Sequence, residues 1–237
     1  SKRKRLMLIS ILANLGFLGF FKYFNFFQES FISILNDMGM QAHPATLKIL
    51  LPVGISFYTF QSMSYTIDVY WRKIKVEKDL IRFATFISFF PQLVAGPIVR
   101  ARDFLPQFQK DRTFLWDRLI SGTGQVLWGF FKKVAIADSL APYVDQCFQS
   151  PEGFSSSHLL IGIVFYSFQI YCDFSGYSDI AIGLARVMGF DFPHNFRTPY
   201  FSRNFSEFWQ RWHISLSSWL KDYLYIPLGG NRGGSFG

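Results

Sequence analysis

Apolar residues in this chain gather into long runs. Residues 6–27, 47–70 and 158–172 with their continuations approach the roughly 20 apolar residues that cross a bilayer's hydrocarbon as a helix. The first run follows Lys2-Arg-Lys-Arg5 and leads to no small-residue cleavage site, so it reads as a span whose amino end faces the cytoplasm. Glu29 and Asp37 lie in a connection poor in basic residues, which suits the outer side. Arg72, Lys73, Lys75, Lys78 and Arg82 after the second run bring the chain back inside. The run from Phe83 to Val99 is broken by Pro91 and Gly96-Pro97 and followed by Arg100 and Arg102. Basic residues on both sides predict a re-entrant hairpin, tolerated only where protein or water meets the exposed backbone, hence a cavity-lining element. Over residues 113–140, Trp116, Leu119, Val126, Phe130 and Val134 fall on roughly one side, with Arg118, Lys132 and Lys133 elsewhere. That pattern predicts an amphipathic helix lying along the membrane surface or packed obliquely.

Near the carboxyl end the period becomes helical. Trp209, Trp212, Leu216, Trp219 and Tyr223 form one apolar stripe, and Gln210, His213 and Ser217 run along its edge. Asn204 with Glu207 marks a helix start, Glu207 and Arg211 form an i,i+4 ion pair, and the helix is expected to run on toward Pro227. Two roles stand open for His213: a hydrogen-bonded residue in an interfacial helix anchored by Trp and Tyr, or an acid-base group at the seam of packed and polar surface. A second polar patch, Asp173-Phe-Ser-Gly-Tyr177-Ser-Asp179, follows directly on an apolar run. Carboxylates at membrane depth are costly and face a cavity or a partner. Asp173 and Tyr177, one turn apart, are candidates to line a polar tunnel, while Asp179 and Arg186 share a face and read as a structural ion pair. In Pro227-Leu-Gly-Gly-Asn231-Arg232-Gly-Gly234, Asn231 and Arg232 are candidate anion or donor ligands, although such a loop also serves as a plain turn.

Composition refines this picture. Half the residues are hydrophobic and 20% aromatic, yet the mean hydropathy is only +0.18. Purely spanning helices would score higher, so interfacial or re-entrant segments make up much of the chain. The net charge of +8 sits in clusters flanking apolar runs, which points to topology and anionic lipid and away from nucleic acid. Cys147 and Cys172 read as structural thiols. His43, His158, His194 and His213 show no metal-ligand spacing, so no metal is expected. With no repeat, low-complexity segment or soluble linker, residues 1–237 read as one domain. A transporter-like membrane subunit with a broken-helix site competes with an enzyme.

Four stretches, in order, tip that balance: Leu51-Pro-Val-Gly-Ile-Ser-Phe-Tyr-Thr-Phe-Gln61, Ser88-Phe-Phe-Pro-Gln-Leu-Val-Ala-Gly-Pro97, Tyr171-Cys-Asp-Phe-Ser-Gly-Tyr-Ser-Asp179 and the segment from Glu207 to Arg232. They resemble the membrane-bound O-acyltransferase (MBOAT) family, in particular its polysaccharide O-acetyltransferase branch. The resemblance implies an all-α polytopic protein of the bacterial cytoplasmic (inner) membrane, with spanning, re-entrant and interfacial helices around a tunnel. It implies no bound cofactor, with acetyl-CoA or an acyl carrier as donor. Acetyl groups would pass to hydroxyls of an exported polysaccharide such as alginate, assisted by extracytoplasmic helper proteins. D-alanyl transfer toward teichoic acid is the alternative within the family. Members carry a polar landmark in the Trp-rich region, matched by His213, and a more invariant downstream His without a counterpart here. The chain therefore resembles a partial MBOAT domain whose carboxy-terminal helices are missing, expected to be inactive alone. In this reading His213 orients the acceptor or shares its proton, and Trp209, Gln210, Trp212 and Ser217 line the site.

Overall fold

The computed structural model describes residues 2–40, 52–93 and 96–232, without the Arg232 side chain. Among these residues the secondary structure is helical, with no strand. The helices are α1 (Lys2–Asp37), α2 (Ile55–Tyr70), α3 (Leu80–Ser88), α4 (Phe90–Leu93), α5 (Ala101–Phe104), α6 (Trp116–Phe130), α7 (Asp138–Gln149), α8 (Ser156–Val187), α9 (Phe205–Arg211) and α10 (Ile214–Leu220). They fall into two compact units, one drawn from Ser1–Ser88 with Arg100–Arg102 and the other from Phe89–Val99 with Asp103–Gly237.

In the first unit, α1 is 36 residues long and has no buried residue. At 1.5 Å per residue it measures about 54 Å, more than the hydrocarbon core requires. Leu12, Phe17, Phe27 and Phe31 are all exposed, as on a helix apolar all round whose solvent is lipid. Within the expected second span, residues 47–70, the described helix runs from Ile55 to Tyr70, after Gly54 in a left-handed conformation at φ 76°, and residues 41–51, including His43, lie outside the described part. It also buries a polar row, Thr59, Gln61, Ser64 and Asp68, so its interior face is not that of a simple lipid anchor. The helices α1 and α2 pack antiparallel. Arg3 donates to the Tyr70 carbonyl at 2.9 Å and the Ser10 and Thr66 hydroxyls meet at 3.1 Å. This pairing puts Lys2–Arg5 and the basic segment after Tyr70 at one end of the unit.

The second unit is built on α8, which packs along α6 and α7. Among the described residues, two helices are long and apolar enough to cross a membrane, α1 and α8. Between α6 and α7 the chain widens into a π-helical segment, Phe131–Ala137, so residues 116–149 form one interrupted rod. The helix expected over 113–140, along the surface or packed obliquely, is packed on α8. Trp116, Phe130 and Val134, from its apolar side, are exposed, and the buried positions are Gly122, Gly129 and Lys132. Where the solvent is lipid, large apolar side chains face out, while small and polar residues meet the neighbouring helix. Gly122 faces Gly183, and Gly129 faces Gly176: a Cβ on Gly129 would lie 2.6 Å from the Gly176 carbonyl oxygen.

The broken run behaves as its prolines predict. After α3 ends at Ser88, α4 is a single turn, and residues 97–100 have no regular secondary structure. Ile98 and Val99 are buried, and the Ile98 N–H donates to the Ser215 hydroxyl at 3.0 Å. Protein therefore supplies the partner for this non-helical N–H. Phe89, Phe104, Phe190 and Phe192 form an aromatic core beside it, with ring centroids 4.9–5.8 Å apart.

Candidate active site

The helix expected from Glu207 toward Pro227 is broken at the residue of interest. The α9 start is as predicted: Asn204 accepts the Glu207 N–H at 2.8 Å, and Glu207 pairs with Arg211 at 2.5 Å. Glu207 also accepts the Arg203 N–H at 2.9 Å, which with Arg211 holds its carboxyl below the usual range. Trp212 then turns extended and His213 adopts a left-handed conformation, φ 45° and ψ 53°, before α10 begins at Ile214. Few non-glycine residues occupy that region, and a side chain held there reflects surrounding structure that insists on it. Two hydrogen bonds supply that insistence: the Arg197 N–H donates to the Arg211 carbonyl and the Ile214 N–H to the Asn195 carbonyl, each at 2.9 Å. The 195–197 loop thus grips the chain on both sides of the break.

His213 packs edgewise on Phe174 at 4.7 Å between ring centroids, and near-parallel to Phe196 at 6.5 Å. Its Nδ1 lies 3.1 Å from the Asn195 amide oxygen. Burial among these rings pushes its pKa down to about 4, so the ring is neutral at pH 7. His213 also borders a groove of about 1140 Å³, whose walls include Trp209, Gln210, Ser217, Lys221 and Tyr225. Four of the seven residues expected at the catalytic position or around a substrate tunnel therefore meet at one concavity: His213, Gln210, Ser217 and Trp209.

The other expected residues go elsewhere. Trp212 stacks on Phe208 at 5.6 Å and packs against Phe196, Tyr171 and Tyr200, a structural position off the groove wall. Asp173 pairs with Lys133 at 2.5 Å, and the Lys133 ammonium lies 6.0 Å from the Tyr177 ring, so the two form an ionic cluster apart from His213. Asp179 pairs with Lys132 of the π segment and accepts from Gln125 at 3.1 Å, in place of the expected pair with Arg186. Seven helical residues separate Asp179 and Arg186 by about 10 Å along the axis, too far for a direct bridge, whereas Lys132 comes straight across from the neighbouring helix. Asn231 accepts from the Tyr225 hydroxyl, and Gly230 borders the groove. The Arg232 side chain lies outside the described residues.

Sequence reasoning passed over Asn195, Ser178, Ser215 and Lys132. All four are buried, Asn195 to 1% exposure. Lys132, Tyr171, Ser175, Ser178, Asp179, His194 and Asn195 enclose a polar cavity of about 40 Å³ next to the histidine. Lys132 carried a usable signal, because an ammonium within an apolar run needs an interior partner. Asn195 carried none, since nothing in Pro193-His-Asn-Phe196 announces burial.

Residues 73–236 match the family described as MBOAT, membrane-bound O-acyltransferase. The chain belongs to this family. The match takes in the end of the first unit and nearly all of the second, including the groove and the histidine. "Probable alginate O-acetylase AlgI" of Azotobacter vinelandii is 49% identical over 208 residues, covering 88% of this chain and 41% of that protein. "Peptidoglycan O-acetyltransferase" of Helicobacter pylori is 40% identical over 256 residues, covering 97% and 48%. "Teichoic acid D-alanyltransferase" of Bacillus subtilis is 31% identical over 191 residues, covering 78% and 48%. The chain spans less than half the length of these relatives. As an MBOAT chain it is a membrane protein.

Proposed function

We propose that the protein is an acetyltransferase of the bacterial inner membrane that passes acetyl groups to hydroxyls of an exported polysaccharide, with alginate as the favoured acceptor. The observation that carries this reading is a neutral histidine on the wall of a largely apolar groove, in a chain 49% identical to a probable alginate O-acetylase. The lower identity to a D-alanyltransferase, 31%, favours acetyl over D-alanyl transfer. The donor is a thioester, acetyl-CoA or an acyl carrier. Extracytoplasmic helper proteins complete delivery, and the amino end faces the cytoplasm.

In the reaction, the acceptor oxygen forms a bond to the acyl carbon as its proton passes to a ring nitrogen of His213 or to a base that His213 assists. The carbon–sulfur bond breaks, and the proton leaves on the departing thiol. Positioned acid-base groups contribute about 10²- to 10⁴-fold to such steps. Ser217 and the Trp209 indole N–H, on the same wall, are candidate donors to the developing oxyanion. Gln210 supplies a further polar contact for a sugar hydroxyl, and Lys221 a positive charge for an anionic donor or acceptor.

The test is His213→Ala in the full-length enzyme at matched expression, reading acetyl content of the exported polymer. A loss of about 10²-fold or more is expected. Acetylation within a few-fold of wild type would return His213 to a packing role.

A further inference from the structure

Asn195 is a buried amide for which acyl transfer has so far required no role. Its amide oxygen faces three groups: His213 Nδ1 at 3.1 Å, the Ser215 N–H at 3.2 Å and the Ser215 hydroxyl at 2.9 Å. Its amide nitrogen donates to the Ser178 hydroxyl of α8 at 3.2 Å. A backbone N–H can only donate, so the Asn195 atom facing Ser215 has to be the oxygen, and that oxygen can only accept. His213 Nδ1 must then bear a hydrogen. The Ser215 hydroxyl fits the same scheme, because it accepts from the Ile98 N–H at 3.0 Å and so keeps its own hydrogen for Asn195. The orientation of every group is thereby fixed.

We propose that Asn195 is a positioning residue, whose amide oxygen locks His213 in the Nδ1–H tautomer and leaves Nε2 as the bare nitrogen offered to the groove. A neutral imidazole has one acceptor nitrogen, and the hydrogen bond made by the other decides which one it is. Histidine free in water prefers its hydrogen on Nε2, so the lock reverses the intrinsic preference. An amide also suits this site better than a carboxylate, which would favour the charged imidazolium and remove the lone pair that a base needs. Asn195 works from both its ends: the side chain sets the tautomer, while the main-chain carbonyl takes the Ile214 N–H and keeps His213 in its left-handed turn. Through Ser178 the same amide ties the histidine to α8, the helix that carries Phe174 under the ring. The catalytic consequence rests on the proposed acid-base role of His213, whereas the tautomer does not.

The experiment is nitrogen NMR on the full-length protein labelled with ¹⁵N-histidine, with the His213 signals identified by their loss in His213→Gln. In wild type, Nδ1 should give a pyrrole-type and Nε2 a pyridine-type signal. Asn195→Ala should reverse the two, and Asn195→Asp, which keeps an acceptor oxygen in place, should retain the Nδ1–H form. A wild-type spectrum with the hydrogen on Nε2 would overturn the proposal even if the alanine variant failed to fold. So would a folded Asn195→Ala that kept Nδ1–H. On activity, Asn195→Ala should lower kcat about 10- to 100-fold, as loss of partners that orient a reactive imidazole does elsewhere, with KM little changed and partial recovery in Asn195→Asp. An equal loss in both variants, beside unchanged spectra, would mark a purely structural residue. A tautomer that follows Asn195, beside a harmless His213→Ala, would instead keep the lock and remove the acid-base role.

Discussion

A methyl group added at Gly129 tests whether the α6–α8 contact organises the site. On Gly129 the new Cβ would lie 2.6 Å from the Gly176 carbonyl oxygen and 2.9 Å from the Ile180 backbone nitrogen, where ordinary contact begins at 3.4 Å. Neither backbone atom can rotate away, so the two helices have to part by several tenths of an ångström. Overpacking of this kind costs about 1–3 kcal/mol, offset by the roughly 0.5–1 kcal/mol that alanine gains over glycine within a helix. Gly129→Ala should therefore destabilise the full-length protein by about 1–2 kcal/mol. Gly124, on the same helix, has nothing within 4 Å of its Cβ position, so Gly124→Ala should be neutral or slightly stabilising. Unfolding followed by tryptophan fluorescence in mixed micelles, as the denaturing detergent fraction rises, compares the two directly. Gly176→Ala presses on the same contact from the other side, with its Cβ 2.8 Å from the Gly129 oxygen. The double variant should consequently cost less than the sum of the singles, since the first methyl opens space for the second. If Gly129→Ala and Gly124→Ala behaved alike, the helices would not be in backbone contact, and the account of how α8 is seated beside the histidine would fall.

Two further predictions concern charge. Lys132→Met should destabilise by about 3 kcal/mol, because it leaves Asp179 largely buried without its ammonium partner; Lys132→Met with Asp179→Asn should recover a good part of this, and the same micelle titration reads both. Because burial holds the His213 pKa at about 4, below its ordinary 6.5, its contribution to stability is complete above pH 6.5 and is lost as pH falls through about 4. Wild type should accordingly lose stability faster than His213→Gln between those values; parallel curves would show that the histidine protonates in the folded state as readily as in water.

The apolar runs were legible because a spanning helix leaves a signal as long as the bilayer is thick, and α1 and α8 both carry it. The interruption at Pro91 was equally plain, since proline and glycine act on the backbone itself. The cap at Asn204 and the Glu207–Arg211 pair are local, fixed by spacing of three or four residues. Errors arose where the partner came from another helix. Spacing points Asp179 to Arg186 on its own helix, whereas its ion pair is made with Lys132, 47 residues away. The α6 stripe is a different case: an amphipathic pattern names the apolar face, and whether that face turns inward depends on what surrounds it. In α6 the face packed on α8 is the one bearing Gly122 and Gly129.

The break at His213 escaped periodicity because the apolar spacing runs through it unchanged from Trp209 to Tyr223. Physically the break matters more than the stripe. On a continuous helix, residue 214 would give its N–H to a carbonyl four positions back, and the Asn195 carbonyl would be left without it. By turning left-handed at His213, the chain presents the Ile214 and Ser215 N–H groups to Asn195 instead. A left-handed residue costs on the order of 1–2 kcal/mol, and the hydrogen bonds gained on either side are of comparable size. The turn is thus nearly neutral in stability, and what it secures is orientation: one ring nitrogen held by a buried amide, on a histidine that borders the groove.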